Sequence, residues 1–529
     1  MAKIGSKTRK EKIEINEQFK KALELLENSS KNIFITGRAG TGKSTLLEHF
    51  RNTTKKKVVV LAPTGVAALN VKGQTIHSFF GFKINVTLEK IKKLKKPSDL
   101  YKKLDVVIID EISMVRADLL DCVDKFLRLN SKDKNLPFGG VQMVFIGDLY
   151  QLPPVVTRDE KEIFKTYYDS QYFFDAKAFP ELNMEFVELE KIYRQKDTEF
   201  ISLLNAIRNK SATEEDINAI NARLCPDFNE NGEFYIHLTT TNKMAEELNT
   251  HKLSQLKSKS FAFKGKISGS FEEKYLPTQI NLKLKVGAQV MFLNNDSYGL
   301  WVNGSIGKIV DVNDDAEDDS GEKTGVITVE LAEGQIVEVS PYKWKIFRYT
   351  FNKQTRLLDT ESVGSFTQFP IKLAWAITIH KSQGKTFDKV ILDIGHGTFA
   401  HGQVYVALSR CTSLEGLVLK KPIAKKHIFM DYKVVKFLTK YQYKKAEETC
   451  SVEEKAKIIA EAIANKTHLN IVYLKANDAK SSRRIAPKYL GEMEYLGKAF
   501  LGVSAFCQNR KEDRTFRVDR ILQINTVSP

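Results

Sequence analysis

The chain has 529 residues, with 82 lysines and arginines against 65 aspartates and glutamates and a formal net charge of +17. One hydrophobic core does not extend over such a length, so several domains are expected, and the positive balance favours nucleic acid as a partner over a membrane surface. The five cysteines (Cys122, Cys225, Cys411, Cys450, Cys507) form no CxxC pair, apolar runs stay short of the ~18 residues of a membrane helix, and the basic start MAKIGSKTRKEK leads into no apolar segment. A disulfide framework, a zinc ribbon, a membrane span and secretion are therefore not expected, and a reducing, cytoplasmic location is.

In chain order, Ile13–Leu26 lacks Gly and Pro and places Ile15, Phe19, Ala22, Leu23 and Leu26 at helical spacing. Four short apolar runs follow: Ile33–Thr36, Lys57–Leu61, Val106–Ile109 and Val141–Ile146. Continuous Val/Ile strands separated by helical stretches predict a parallel sheet covered on both faces. The lysine-rich stretch Lys83–Lys103 interrupts this rhythm and reads as a small subdomain on the sheet's rim. A second α/β unit begins near Val187, with strands expected at Tyr235–Thr239, Phe369–Leu373 and Lys389–Asp393. Within it, Leu284–Lys345 changes to short strands with turn signals, including a hairpin at Val302–Val310 around Asn303-Gly304. The acidic run Asp311–Asp319 reads as a solvated loop. Lys444–Lys466 is a helix-forming connector, and His468–Val527 returns to β patterning.

Gly37-Arg38-Ala39-Gly40-Thr41-Gly42-Lys43-Ser44 matches GxxxxGK[ST], follows the strand NIFIT and opens a helix, the two contexts that make such a match a P-loop. Its backbone amides would wrap phosphates, the helix N-terminus would add positive potential, and Lys43 would reach the β- and γ-phosphates. Val106–Ile109 ends in Asp110-Glu111 at the edge where ligands bind in such sheets. Asp110 is expected to hold Mg2+ together with Ser44, and Glu111 to orient or deprotonate the attacking water. Val141–Ile146 runs into Gly147-Asp148 and a loop whose Gln151 is set to contact a γ-phosphate. Hydrolysis also needs positive charge at the transition state, and Arg194 in KIYRQ and Arg410 in VYVALSRCT are the candidates. Both reaching the γ-phosphate would place the nucleotide between two α/β units, a motor geometry.

The ordered set INEQFKKA, GRAGTGKST, LAPTGVAA (Leu61–Ala68), GQTIHSFFG (Gly73–Gly81), VVIIDEISM, PFGGVQMVFIGDLYQLPPV (Pro137–Val155), IYRQ, LTTTN (Leu238–Asn242), NGSIGKI, WAITIHKSQGKTFD (Trp375–Asp388) and VYVALSR resembles the Pif-type DNA helicases of superfamily 1B, kin of the RecD-like helicases, over residues 12–440. The resemblance implies an α/β fold with two RecA-like P-loop motor domains: 1–190, with a wedge insert at 83–103, and 191–443, with a small β-barrel insert at 284–350. It implies ATP-driven translocation on single-stranded DNA and 5′-to-3′ unwinding in replication, repair or recombination. It further implies that Gln18 reads the adenine base and that Gly40, Thr41, Gly42, Lys43, Ser44, Thr45 and Gly384 hold ATP. For DNA it points to Thr64, His77, Thr240, Thr378, His380 and Ser382, whose hydroxyls and imidazoles suit phosphates without reading bases. Phe79 and Phe80 are placed either as base-stacking rings or as core aromatics.

His468–Val527 resembles a WYL domain in IVY (Ile471–Tyr473), RRIAPKYL (Arg483–Leu490), YLGKAFLGVSAFC (Tyr495–Cys507) and RTFRVDRI (Arg514–Ile521). The Trp and Tyr that name that family are absent near Leu501-Gly502-Val503. A helical connector, 444–467, and a WYL-like domain, 468–529, complete the expected domain order. Arg483, Arg484, Arg514, Arg517 and Arg520 offer a contact to an anion, DNA or a regulator, or else pair with Asp513 and Asp519. The resemblances together imply a bacterial, cytoplasmic, nucleoid-associated monomer that works on single-stranded and forked DNA and on no membrane. Two other functions fit the motifs: a DNA-stimulated ATPase that remodels protein–DNA complexes, and a nucleotide-gated DNA-binding regulator. The intact Lys43, Asp110 and Glu111 argue against the last.

Overall fold

The computed structural model describes residues 15–527 apart from 84, 97, 157, 196, 231, 274–275, 318–323, 353, 357, 396 and 398–399. Ile13 of the expected first helix and residues 318–319 of the acidic run therefore lie outside the described residues. The chain divides into two units, one formed by residues up to Leu204 with Glu214–Ile428, the other by Asn205–Thr213 with Phe429 onward.

The first sheet holds β1 (Ile33–Gly37), β2 (Val58–Ala62), β3 (Gln74–Thr75), β4 (Val106–Ile109), β5 (Gln142–Gly147) and β6 (Glu185–Leu189). The four apolar runs become β1, β2, β4 and β5, and the stretch around Val187, expected to open the second unit, is β6 and pairs with β1 in the first. The strand order is β3-β2-β4-β5-β1-β6, and every pairing is parallel. Both faces are covered, which is why the strands show no polar alternation. On one face Ile33, Ile35, Ile108, Val144 and Ile146 pack with Phe19, Leu46 and Phe50 from flanking helices. On the other, Phe34 and Phe145 meet Phe173 edge-on. Because β5 lies between β4 and β1, the P-loop, the Asp148–Gln151 loop and Asp110-Glu111 all leave neighbouring strands at one edge. The first helix is Glu17–Asn28, started by Asn16, whose side chain accepts the Phe19 N–H at 2.8 Å.

After β7 (Ile236–Thr239) the chain enters a β-rich stretch: β8 (Ser260–Lys264), β9 (Lys266–Gly269), β10 (Asn281–Lys285), β11 (Gln289–Phe292), β12 (Ile306–Asn313), β13 (Val326–Leu331), β14 (Ile336–Val339), β15 (Tyr342–Phe351), β16 (Leu358–Gln368) and β17 (Ile371–Leu373). They form sheets ordered β14-β13-β12-β11-β17, β15-β16-β9 and β10-β8. Phe369–Leu373, expected among the strands of the second α/β unit, belongs here instead of in the second parallel sheet. Its strand β17 pairs antiparallel with β11, while Phe369 and Ile371 join Val290, Phe292 and Val329 in this core. A short apolar run reads the same whichever sheet it joins. Asn303-Gly304 is also not a two-residue hairpin turn, since β11 ends at Phe292 and β12 starts at Ile306. The hairpin β15–β16 is tied to the edge of the first sheet: the Tyr349 hydroxyl accepts the Val60 N–H at 3.2 Å, and the Tyr349 N–H donates to Gln74 Oε1 at 3.3 Å. The chain then completes the second sheet with β18 (Ala376–Thr378), β19 (Val390–Asp393) and β20 (Leu417–Leu419), parallel throughout in the order β18-β7-β19-β20.

In the other unit, β21 (His468–Leu474), β22 (Lys480–Tyr495), β23 (Lys498–Cys507), β24 (Glu512–Arg517) and β25 (Ile521–Val527) form an antiparallel sheet ordered β24-β23-β22-β21-β25. The expected single connector is two helices, Tyr432–Thr449 and Val452–Ala464. Ser451 starts the second through a capping box: its hydroxyl accepts the Glu454 N–H, and the Glu454 carboxylate accepts the Ser451 N–H. Ile459 and Ala462 pack with Leu469, Ile485, Val503 and Phe516, so this helix builds the C-terminal core instead of linking to it. Arg514 pairs with Glu512, Arg517 with Asp519, and Asp513 with Lys488. Among the described residues, no helix is long and apolar enough to cross a membrane.

Candidate active site

The P-loop closes on itself after β1. Lys43 Nζ donates to the Gly37 and Arg38 carbonyls at 2.7 and 2.9 Å, and the Thr41 hydroxyl donates to Arg38 O at 2.9 Å. Gly40 has φ +80°, and a Cβ there would lie 2.4 Å from Arg194 Cβ. Glycine is thus required both for the left-handed backbone and for the close approach of Arg194. The helix Lys43–Thr53 starts after Gly42 with no side-chain cap, and Ser44 and Thr45 are exposed on its first turn. Its leading amides are left for a ligand, and the helix end favours an anion. Burial lowers the Lys43 ammonium pKa, against the opposing pull of Asp148, Glu111 and Asp110.

Asp110 and Glu111 follow β4. Glu111 holds φ +51° and ψ +44°, a sparsely populated conformation for a residue with a Cβ and the kind of strain found at functional turns. Burial raises both carboxyl pKa values, that of Glu111 further through its neighbour Asp110, while Lys43 opposes both shifts. A carboxyl raised in this way is suited to take a proton from water near neutral pH.

Gln151 joins this pair through residues of the second sheet's loops. The Gln383 amide donates to Gln151 Oε1 at 3.1 Å and to Glu111 Oε2 at 3.4 Å. Gln151 Nε2 donates to Asp148 Oδ2 at 3.3 Å. The Tyr405 hydroxyl donates to the same oxygen at 3.4 Å and accepts the Ala39 N–H of the P-loop at 3.1 Å. A hydrogen-bond path therefore runs from the P-loop through Tyr405, Asp148, Gln151 and Gln383 to Glu111. Gly402, at φ +73°, opens the helix Gln403–Leu408, and a Cβ there would sit 2.2 Å from Tyr150 O. The Gln151 loop and the helix bearing Tyr405 are thus in backbone contact. Gln383 and Tyr405 are additions to the expected site. Each lies inside a motif already singled out, SQGKT and VYVALSR, but nothing in those motifs shows which polar atoms meet across the cleft.

The two arginines differ in how they are held. Arg194 Nη2 donates to Gly384 O at 3.4 Å, and its buried Nη1 has no hydrogen-bond partner among the described residues. Such a nitrogen is expensive to leave unmatched, and it fits a phosphate oxygen in the cleft. Arg410 is 1% exposed and commits its donors locally: Nε to Val406 O, Nη1 to Lys385 O and Nη2 to the Ser409 hydroxyl. Burial, and then Arg194, lowers its pKa to about 9. Lys43, Asp110, Glu111, Gln151, Arg194, Arg410 and Gly384 share one cleft whose unclaimed amides, orphan nitrogen and carboxylates fit a nucleoside triphosphate with a divalent cation. Gln18 is engaged elsewhere, its Nε2 on the Glu190 carboxylate and its Oε1 accepting the Glu190 N–H, both at 3.0 Å.

The expected DNA-contact residues divide. Phe79 and Phe80 are core rings and not stacking platforms: they are 5% and 4% exposed and meet Tyr101, Phe126 and Tyr349. Ser382 is fully buried and donates to Ile379 O at 2.7 Å. Thr378 and Thr240 are buried as well, Thr378 accepting the Lys381 N–H and Thr240 donating to Met244 Sδ. These hydroxyls have turned to nearby partners, as short polar side chains do. His380 is half-buried, and burial lowers its imidazole pKa. Thr64 is exposed and caps the helix Gly65–Asn70 through the Ala67 N–H. Thr64 and His77 line a groove of about 1430 Å³ together with Phe82, Phe164, Tyr167 and Lys177.

The family model described as PIF1-like helicase matches residues 12–218, and that of the WYL domain matches residues 454–526. The ATP-dependent DNA helicase Pif1 of Bdellovibrio bacteriovorus is 33% identical over 445 residues, covering 81% of this chain and 93% of that protein. The crystal structure of Bacteroides sp. Pif1 in complex with ADP-AlF4 is 39% identical with a TM-score of 0.72, covering 81% of this chain and 97% of that one. Bacteroides Pif1 bound to ssDNA is 39% identical with a TM-score of 0.58, covering 80% and 96%. The sheets flanking the cleft are those of a RecA-like motor. The chain belongs to the PIF1-like helicases and carries a WYL domain at its C-terminal end.

Proposed function

We propose that this chain hydrolyses ATP in the cleft, moves along single-stranded DNA and separates duplex strands in the 5′-to-3′ direction, in replication, repair or recombination. The observation that carries this reading is the hydrogen-bond path Ala39–Tyr405–Asp148–Gln151–Gln383–Glu111, because it joins the phosphate loop, the water-orienting carboxylate and the second sheet. Lys43 and the P-loop amides bind the phosphates, with Gln18 released from Glu190 to reach the base. Ser44 and Asp110 would hold Mg2+, which would offset phosphate charge when bound. Glu111 orients the attacking water, and Arg194 and Arg410 offset charge developing on the transferred phosphoryl group. Loss of the γ-phosphate removes the acceptor for Arg194 and frees the two sheets to part, a hinge motion that drives the step along DNA.

Thr64, His77 and His380 would contact the strand's phosphates, and Arg483 and Arg484 of the WYL domain an anion, DNA or a regulator. The working parts are the motor domains 1–190 and 191–443 with their inserts at 83–103 and 284–350, and the C-terminal domain 468–529, to which the second helix of the 444–467 stretch is added. The chain would act as a monomer in a bacterial cytoplasm, at the nucleoid, on single-stranded and forked DNA. The direction is what the resemblance to the Pif-type helicases implies, and unwinding of duplexes with a 5′ or a 3′ single-stranded tail tests it. With ATP and Mg2+, only the 5′-tailed duplex should open. Opening of the 3′-tailed duplex alone would overturn the direction, and full DNA-stimulated ATP turnover with neither opened would favour a remodelling ATPase.

A further inference from the structure

The groove lined by Thr64 and His77 has a second wall that the ATPase chemistry does not use. It is built from the helix Arg158–Tyr167 and the turn after it, the segment that directly follows the Gln151 loop. Here aromatic rings and cations alternate. The Arg116 guanidinium lies 5.1 Å from the Phe164 centroid, and Lys177 Nζ lies 5.9 and 5.7 Å from those of Tyr167 and Tyr168. Phe164 and Tyr168 are anchored: Phe164 is 8% exposed, and the Tyr168 hydroxyl donates to Asp121 Oδ2 at 2.9 Å. Tyr167 differs, with 62% of its surface exposed beside that wall.

The shape and charge of the groove narrow what it takes. At about 1430 Å³ it exceeds the about 300–1,000 Å³ of pockets for small ligands, so it suits a polymer segment. The Arg116 charge is met by Asp118 and Glu160, at 2.8 and 2.7 Å, so Arg116 is not an unpaired arginine offered to a phosphate. An exposed ring backed by a cation suits a flat π surface, and every nucleobase has one. We propose that Tyr167 is a stacking platform for one unpaired nucleobase of the strand held in this groove, whose phosphates face Thr64 and His77 opposite. The proposal rests on the single-stranded DNA reading given above. It also places a base contact on the same chain segment as the γ-phosphate contact, so hydrolysis and the grip on a base share one element.

Fluorescence anisotropy with labelled single-stranded oligonucleotides tests this on the full chain, comparing wild type, Tyr167→Ala and Tyr167→Phe. Tyr167→Ala should weaken binding about five- to hundredfold, while Tyr167→Phe stays within about twofold. The slope of affinity against salt should stay unchanged, because no phosphate contact is removed. A single abasic site, moved along the oligonucleotide, should weaken wild-type binding at one position and add nothing there in Tyr167→Ala. Wild-type affinity in Tyr167→Ala, or an abasic penalty that adds in full to the substitution, would overturn the platform while leaving DNA binding intact. Failure of the wild type to bind any oligonucleotide would overturn the DNA reading and the platform together. Tyr167 is exposed, so melting temperatures should be unchanged and confirm that the variants fold.

Discussion

The nucleotide cleft and the set of residues expected to touch DNA treat their side chains in opposite ways. In the cleft, Lys43, Asp110, Glu111 and Gln151 sit where strand order puts them, at the ends of β1, β4 and β5. Side chains there have little choice, because the backbone delivers them to one edge. Among the residues expected to touch DNA, Ser382, Thr378 and Thr240, at or just after the ends of β18 and β7, turn inward to local partners, and Phe79 and Phe80 sink into an aromatic cluster with Tyr101 and Phe126. A hydroxyl can bond its own backbone, and a phenyl ring gains more by burial than by waiting for a base. Residue type therefore predicts placement well where topology fixes direction and poorly where the side chain can choose.

This contrast can be broken by substitution. The largest expected effect is Glu111→Gln, which keeps the shape but removes the carboxylate facing Gln383. DNA-stimulated ATP turnover should fall about 10²–10⁴-fold with nucleotide binding retained; turnover within tenfold of wild type would place the water elsewhere. Among the expected DNA contacts, Phe80→Ala should cost about 3–5 kcal/mol of stability by chemical denaturation, with the DNA affinity of the folded protein unchanged. Lost affinity at normal stability would restore the stacking role. Smaller still is Tyr405→Phe, which deletes one hydroxyl between Ala39 and Asp148. The maximal ATPase rate should fall about tenfold with KM for ATP little changed, and an unaltered rate would reduce Tyr405 to packing.

The same contrast explains how much could be read in advance. The strands of the first sheet are visible as runs such as Val58–Ala62 because burial on both faces demands continuous apolar residues. The P-loop and Asp110-Glu111 are visible because phosphate chemistry fixes spacing. Phe369–Leu373 has that same apolar signature but joins the antiparallel sheet through β11, a choice set by partners distant in sequence. The break between the two C-terminal helices was written in Ser451 and Glu454, a capping-box spacing that propensity alone runs through. The Gln383 bridge between Glu111 and Gln151 is a contact between residues of two different sheets, and its existence depends on how those sheets are placed.

If the second sheet completes a catalytic cleft on the first, Arg194 is the residue whose loss should show it. Unlike Arg410, it is not held by a set of carbonyls, and its Nη1 awaits an acceptor. In Arg194→Ala, equilibrium binding of an ATP analogue and single-stranded-DNA-stimulated turnover should be measured on the same preparation. Binding should stay within about threefold while turnover falls about 10³-fold or more, the magnitude of a charge that acts in the transition state. Turnover at the wild-type rate with ordinary binding would contradict that arrangement.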